Sequence, residues 1–275
     1  MECYIDGAPL FYKEYGEGIP ILCLHGFTVD HRIMAGCLEP IFNTLKGYRR
    51  IYPDLPGMGK SLAPESLKNA DDMLEVVKKF INSVIGDEKF LLVGESYGGY
   101  LSIGLALYLE QQIEGMFFLC PCIIADRKER ELPRKKVFDY DSDFHELNKN
   151  NKNYKDFEET AVIASEETFE RYTSEVLPGL QVADTLFTGK YQKEGYSFSF
   201  ADKISNIVFH KPACFILGRQ DDSVGYMDAL KLIHNFSRAT FIAADNAGHN
   251  LQIERSDLFT ASFTDWLDRV QINKY

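Results

Sequence analysis

Short, continuous apolar runs alternate with stretches of helical spacing along most of this 275-residue chain. Residues 19–26 read IPILCLHG, and residues 70–85 place Met73, Leu74 and Val77 on one face of a helix. Runs that are apolar at every position are typical of parallel strands buried on both faces. Strands that alternate with helices therefore predict an α/β fold, with a mostly parallel central sheet flanked by helices.

The predicted elements follow one another closely, apart from one long gap. A hairpin with an Asp6-Gly7 turn opens the chain. We predict strands at 19–26, at the start of 49–61, and at 89–93, 116–124, 213–218 and 239–244. We predict helices at 70–85, 97–110, 227–236 and 255–270.

Residues 125–205 interrupt this alternation. Helical spacing is present at 157–176 and weak elsewhere in the segment. Structureless loops of this length are rare in compact domains, so we expect a helical cap inserted into a core formed by 1–124 and 206–275. The segment begins with a basic run, DRKERELPRKK at 126–136, which we interpret as a solvated hinge of the cap rather than a binding patch.

Composition limits the partners of the chain. The formal net charge is −11, and such a surface repels nucleic acid and anionic membranes. No apolar stretch approaches the roughly 20 residues that cross a bilayer, and the first residues do not read as a signal peptide. Four of the six cysteines fall in apolar runs, which is typical of buried free thiols. We therefore expect a reduced, cytoplasmic protein.

A Gly-x-Ser-x-Gly pentad, GESYG at 94–98, lies where a predicted strand meets a predicted helix. In that setting the pattern is typical of a nucleophile elbow, a tight turn that presents a serine above a sheet. Small flanking residues are needed because the turn is strained and crowded. Ser96 is thus the candidate nucleophile.

A serine hydroxyl needs a base, and the base needs an acid that orients it. His249 follows an apolar strand and precedes the last helix, at the sheet edge where open α/β folds place their sites. Asp221 and Asp222 follow another strand, and the residues alone leave both open as the acid. The order Ser, Asp, His along the chain is the one that this elbow requires.

Five motifs in this order resemble those of the α/β-hydrolase superfamily, especially its lidded branch of esterases, carbon–carbon bond hydrolases and iminopeptidases. The resemblance covers nearly the whole chain. It rests on His25-Gly26-Phe27, the 54–61 stretch DLPGMGKS, the elbow, Gly218-Arg219-Gln220-Asp221 with Val224, and Gly248-His249.

The resemblance implies roles for particular residues. It selects Asp221 over Asp222 as the acid, and it assigns the oxyanion hole to the backbone N–H groups of Phe27 and Tyr97. His25 is expected mainly to hold its loop, and it is kept with Glu95 as a candidate residue of the substrate pocket. Glu95 departs from many relatives: it is either solvated, paired with a cap residue, or in contact with a charged substrate group.

Together these features predict a serine hydrolase that acts on a small or medium-sized substrate, a carboxylic ester, through an acyl-enzyme. The alternatives within the family are a carbon–carbon bond hydrolase and an iminopeptidase-type amidase. The alternative from another class is a small-molecule receptor that does not turn over, or turns over once. We expect no cofactor and no metal, and no nucleic-acid or membrane partner. The sequence does not determine the oligomeric state.

Overall fold

The computed structural model describes residues 1–133 and 139–272. Its main sheet has eight strands in the order β1-β2-β4-β3-β5-β6-β9-β10, and a small separate sheet pairs β7 with β8. The strands are β1 (Glu2–Ile5), β2 (Ala8–Tyr15), β3 (Ile19–Leu24), β4 (Tyr48–Pro53), β5 (Phe90–Glu95), β6 (Ile113–Leu119), β7 (Asp139–Tyr140), β8 (Ile163–Ala164), β9 (Ala213–Gly218) and β10 (Ala239–Ala244).

Six of the eight strands are parallel to one another, from β4 to β10 across the main sheet. The first two are antiparallel and form the predicted hairpin. Its turn has positive φ at both Asp6 (52°) and Gly7 (83°), which suits the twist of a tight hairpin. The predicted α/β fold is confirmed.

The helices include those that flank the main sheet and those of residues 125–205. They are α1 (His31–Phe42), α2 (Ala70–Val84), α3 (Tyr97–Leu109), α4 (Ser142–Asn148), α5 (Lys152–Glu158), α6 (Glu166–Arg171), α7 (Leu177–Val182), α8 (Thr185–Glu194), α9 (Met227–Leu232), α10 (Leu251–Glu254) and α11 (Ser256–Ile272). α1 packs against α11, and α2 packs against α3. Successive strand residues face opposite sides of the sheet. On β6, accordingly, Phe117 packs edge-on against Phe263 of α11, while its neighbour Phe118 stacks on Phe215 of β9.

Several element bounds differ from the sequence predictions, and three of the differences have a clear local cause or pattern. α1 was not predicted, although Asp30 caps it by accepting a hydrogen bond from the backbone N–H of Arg32. β6 spans Ile113–Leu119 rather than the predicted 116–124, and it ends early because Cys120 adopts a positive φ of 40° that extended strands do not allow. The helical spacing at 157–176 is not one helix: α5 ends at Glu158, and α6 continues into a π-helical turn at Tyr172–Val176.

Residues 125–205 lie in sequence between β6 and β9, and within their described part they contain α4 to α8 and the small sheet. One close contact to the rest of the molecule is the pair of hydroxyls of Tyr97 in α3 and Tyr191 in α8, which lie 2.6 Å apart. The division into a core and an inserted cap at residues 125 and 205 stays a prediction. Within the described ranges, we find no helix with the length and apolar character needed to span a bilayer.

Candidate active site

Ser96 occupies a strained turn between β5 and α3. Its φ of 50° and ψ of −115° lie outside the regions that a side-chain-bearing residue prefers. Neighbouring glycines make the turn possible: a Cβ at Gly98 would collide with the backbone carbonyl of Leu24, and one at Gly94 would collide with that of Gly98. The pentad therefore forms the strand–turn–helix elbow that its spacing predicts.

The structure brings His249 and Asp221 to this serine from two other strand ends. His249 Nε2 lies 3.0 Å from Ser96 Oγ, and His249 Nδ1 donates to Asp221 Oδ2 over 2.8 Å. The other oxygen of Asp221 accepts hydrogen bonds from the backbone N–H groups of Ser223 and Val224. Asp221 is fully buried, and its carboxylate is held at both oxygens. Asp222 instead accepts a hydrogen bond from Arg127 at its backbone carbonyl.

Opposing effects act on the pKa of the His249 imidazole. Burial lowers its pKa, but the charge and hydrogen bond of Asp221, with a further contribution from the charge of Glu95, outweigh burial and raise the pKa to about 9. The half-buried guanidinium of Arg130 acts in the opposite direction. The protonated imidazole is therefore stabilised in this site, and the ring can accept a proton only at a pH at which it has lost its own.

Glu95 lies beside the same imidazole. Its Oε1 is 3.5 Å from His249 Nε2, and its side chain is 2% exposed. Burial raises the pKa of this carboxyl to about 7, against the opposing effects of His249 and the backbone of Gly26. Glu95 thus neither extends into solvent nor pairs with a described residue of 125–205.

The predicted oxyanion-hole residues are adjacent to Ser96. Phe27 follows β3, the neighbour of β5 in the sheet, and Tyr97 is the first residue of α3. Within the ranges that the structure covers, neither backbone N–H donates a hydrogen bond to a protein acceptor. Both N–H groups remain available to a ligand.

His25 is placed below this loop rather than in the pocket. Its Nδ1 donates to the carbonyl of Gly26 over 2.7 Å, and its Nε2 accepts from the backbone N–H of Leu55 over 2.8 Å. Burial lowers its pKa and keeps the ring neutral. His25 does not line the cavity next to Ser96. The structure thus gives it the loop-holding position, while Glu95, the other pocket candidate, does line that cavity.

A cavity of about 840 Å³ opens above Ser96 and His249. Apolar and polar surface contribute about equally to its wall, and residues 125–205 supply part of both. The apolar and aromatic residues are Phe27, Val29, Ala125, Tyr172, Val176, Leu180, Tyr196 and Val224, and the charged ones besides His249 are Glu95, Asp126, Arg127, Lys128, Arg130, Lys193 and Glu194. A cavity of this size and lining suits a small or medium-sized organic ligand.

Two arginines of the basic run have a structural task that its composition did not indicate. Arg130 donates to the carbonyls of Ile124, Ala125 and Ser223, and Arg127 donates to those of Asp222 and Ser223. They tie the start of the 125–205 segment to the loop that carries Asp221. The hinge interpretation of 126–136 missed this contact, and its last residues, 134–136, lie outside the described part.

Among the residues that the structure describes, two clusters bring potential metal ligands within reach of one another, although the sequence shows no metal-ligand spacing. One is Cys120 with Asp221 and His249. The other is Asp30, His31 and Asp54, in which Asp54 accepts hydrogen bonds from the ring and backbone nitrogens of His31 and from the backbone of Lys60. In both clusters the carboxylates are engaged by protein donors, so hydrogen bonding accounts for the groupings.

Comparison with known proteins agrees with this architecture. A family model described as alpha/beta hydrolase fold matches residues 19–256. The crystal structure of an alpha/beta superfamily hydrolase from Oenococcus oeni PSU-1 is 35% identical, with a TM-score of 0.89 over 95% of this chain and 96% of that chain.

The curated relatives are more distant. An uncharacterized hydrolase of Saccharomyces cerevisiae is 31% identical over 113 residues, which are 40% of this chain and only 38% of that protein. A 2-hydroxymuconate semialdehyde hydrolase of Pseudomonas sp. (strain CF600) is 23% identical over 254 residues, 92% of this chain and 88% of that protein. Shorter matches carry the names of an esterase and of proline iminopeptidases.

The family model spans most of the chain, and the Oenococcus structure matches it nearly from end to end. The elbow and the loops after β9 and β10 carry three of the five motifs on which the sequence resemblance rested. This chain therefore belongs to the α/β hydrolase fold family.

Proposed function

We propose that this protein is a serine hydrolase that cleaves carboxylic esters of small or medium size. The observation that carries the proposal is the continuous chain of contacts from Ser96 Oγ through His249 to Asp221, at the wall of the 840 Å³ cavity. This is the arrangement in which a serine loses its proton to a histidine whose tautomer is fixed by a carboxylate.

The reaction follows from this arrangement. Ser96 Oγ attacks the ester carbonyl as its proton passes to His249 Nε2, and the negative charge that forms on the carbonyl oxygen is held by the N–H groups of Phe27 and Tyr97. The imidazolium then gives its proton to the departing alcohol, which leaves an acyl group on Ser96. Water enters, loses a proton to His249, and attacks the acyl carbonyl. Collapse of this second intermediate releases the acid and returns the proton to Ser96.

The cavity lining supports an apolar acyl or alcohol part, because Val29, Val176 and Leu180 line its wall. Residues 125–205 would act as a cap that shapes this space and limits the access of water. The small molecule is the one partner that the proposal requires.

A fluorophosphonate probe tests the nucleophile. We expect the unmodified protein and a Ser83→Ala control, which removes an exposed hydroxyl on α2, to be labelled at the same rate. We expect no labelling of Ser96→Ala. Equal labelling of Ser96→Ala and the unmodified protein would show that Ser96 is not the nucleophile.

Steady turnover of p-nitrophenyl acetate or butyrate tests the ester assignment. A single burst of less than one equivalent would instead indicate the receptor alternative.

A second candidate is carbon–carbon bond hydrolysis. It is favoured by the relative named 2-hydroxymuconate semialdehyde hydrolase, whose match extends over 92% of this chain. A panel of esters of rising chain length, dienoic ketones and amino-acid amides separates the candidates, including the iminopeptidase type. We expect the esters to have the highest kcat/KM. A higher kcat/KM for the dienoic ketones would contradict the ester assignment while retaining Ser96.

A further inference from the structure

Glu95 and Ser96 compete for one nitrogen. His249 Nε2 lies 3.0 Å from Ser96 Oγ and 3.5 Å from Glu95 Oε1. When the imidazole is neutral, Nε2 is an acceptor and interacts with the serine hydroxyl. When the imidazole is protonated, the N–H at Nε2 can donate either to the neutral hydroxyl of Ser96 or to the carboxylate of Glu95. The carboxylate is the stronger acceptor because it is charged.

The carboxyl of Glu95 is positioned to act on the imidazole. Its side chain is 2% exposed, and Oε2 is buried without a hydrogen bond of ordinary geometry to any described residue. Gly26 packs directly against it, since a Cβ at that position would collide with Oε2. The remaining oxygen, Oε1, is the one that approaches His249. Among the cationic side chains in the described ranges, His249 alone lies within ion-pair distance of Glu95.

The other ionisable groups around the pair are few. Asp221 binds the opposite nitrogen of the ring, and the charge of Arg130 reaches it from the start of the 125–205 segment. The charge of Glu95 or Asp221 also acts on four other ionisable groups: the thiols of Cys37 in α1 and of Cys120 and Cys122 after β6, and the phenol of Tyr196.

Burial raises the pKa of all four above the usual values, so they stay protonated near neutral pH. Glu95 and His249 are therefore the groups in this cluster that exchange protons there.

We propose that Glu95 is a positioning residue that stabilises the imidazolium form of His249 through Nε2. As a result, the ring becomes a free base only at a higher pH. This inference rests on the proposed role of His249 as the base. It predicts that the free site prefers an ion pair of Glu95 carboxylate and His249 imidazolium over a wide range. Activity begins where that imidazolium loses its proton, because only the neutral ring accepts the proton of Ser96.

The charge of Glu95 acts on the pKa of His249 in the direction that the proposal requires. A carboxylate within 4 to 6 Å favours the charged form of a histidine, and its removal lowers the histidine pKa. The pKa of about 7 for Glu95 and of about 9 for His249 support a range between these values in which the ion pair dominates. Below that range both groups hold protons, and above it the ring is a free base.

The test is the pH dependence of Ser96 labelling by a fluorophosphonate, which needs no knowledge of the natural substrate. We expect the midpoint of the acid limb to fall by about one to three pH units in Glu95→Gln. Glu95→Asp, whose side chain is one methylene shorter, should have a midpoint between those of the unmodified protein and Glu95→Gln. Glu75→Gln on the surface of α2 removes the same charge from an exposed site and should leave the midpoint unchanged.

The outcomes separate the two proposals. Labelling that depends on Ser96 but has the same midpoint in Glu95→Gln overturns the role of Glu95 and leaves the nucleophile in place. Labelling that does not depend on Ser96 overturns the proposed function.

If both Glu95 variants fail to fold, NMR titration of the His249 ring in the unmodified protein decides. At pH 8, an ionised Glu95 carboxylate, read from its carbon chemical shift, together with a protonated His249 ring supports the proposal, and a neutral ring or a protonated Glu95 overturns it.

Discussion

Arg130 donates through Nη1 to the backbone carbonyl of Ser223 over 2.8 Å, and the backbone N–H of Ser223 in turn donates to Asp221 Oδ1 over 2.8 Å. One residue thus links the guanidinium to the acid that orients His249. The guanidinium satisfies carbonyls rather than carboxylates, so its charge is not neutralised by an adjacent acid within the described ranges. It therefore holds the loop and also acts electrostatically on the site.

Substitution of Arg130 should affect the catalytic step more than binding. We expect Arg130→Gln to lower kcat by roughly tenfold with a smaller change in KM, because the Asp221 loop loses an anchor. The acid limb of the pH profile should also move to higher pH, since Arg130 lowers the pKa of His249. Steady-state kinetics between pH 5 and 10 measure both effects. Lys46→Ala, which removes an exposed cation that does not line the cavity, is the control, and an equal loss in that variant would contradict the assignment.

Substitution of the two adjacent aspartates should affect kcat/KM very differently. Asp221→Asn leaves the loop in place but removes the charge that fixes the tautomer of His249, and we expect kcat/KM to fall by about 10³–10⁴-fold. Asp222→Asn should keep near-normal activity, because the contact of Asp222 in the structure is through its backbone carbonyl. A comparison of kcat/KM for the two variants is sufficient. Similar losses in both would place the acid elsewhere.

The elbow should tolerate no side chain at Gly98. We expect Gly98→Ala to lower the free energy of unfolding by about 2 kcal/mol or more, since the new Cβ collides with the backbone of Leu24. A Cβ at Gly189 in α8 would meet no atom within 4 Å, and Gly189→Ala should stabilise the protein by up to about 1 kcal/mol. Urea unfolding monitored by circular dichroism measures both. Unchanged stability of Gly98→Ala would contradict the tight packing of the turn.

Stability should fall as pH rises through the neutral range. The pKa of Glu95 is raised to about 7 and that of His249 to about 9, so the folded protein binds more protons than the unfolded chain between roughly pH 4.5 and 9. The free energy of unfolding therefore decreases with increasing pH across this window. Since other groups also titrate, the difference between the unmodified protein and Glu95→Gln isolates the contribution. A Tm difference between the unmodified protein and Glu95→Gln that stays constant from pH 5 to 8 would contradict this pH dependence of stability.

Local patterns in the sequence were sufficient for most of the fold. Continuous apolar runs placed β9 and β10 at their observed bounds, and helical spacing placed α2 within one residue of its observed end. α1 was missed even though Asp30 caps it. The break after Leu119 depends on the positive φ of Cys120, and no periodicity reports a single backbone angle.

The sequence by itself determined the elbow, because glycines on both sides of Ser96 are needed wherever a strand turns so tightly into a helix. It also indicated the candidates Asp221 and His249, since chain order and strand ends are local features. Only the tertiary structure brought His249 to the elbow that carries Glu95, and Arg130 to the loop of Asp221. His249 lies 153 positions from Ser96, the neighbour of Glu95, and Arg130 lies 93 positions from Ser223, so both contacts depend on how sheet and loops pack in three dimensions. Charge and burial act through distance in space, which is why the environment of the imidazole could not be derived from the order of residues.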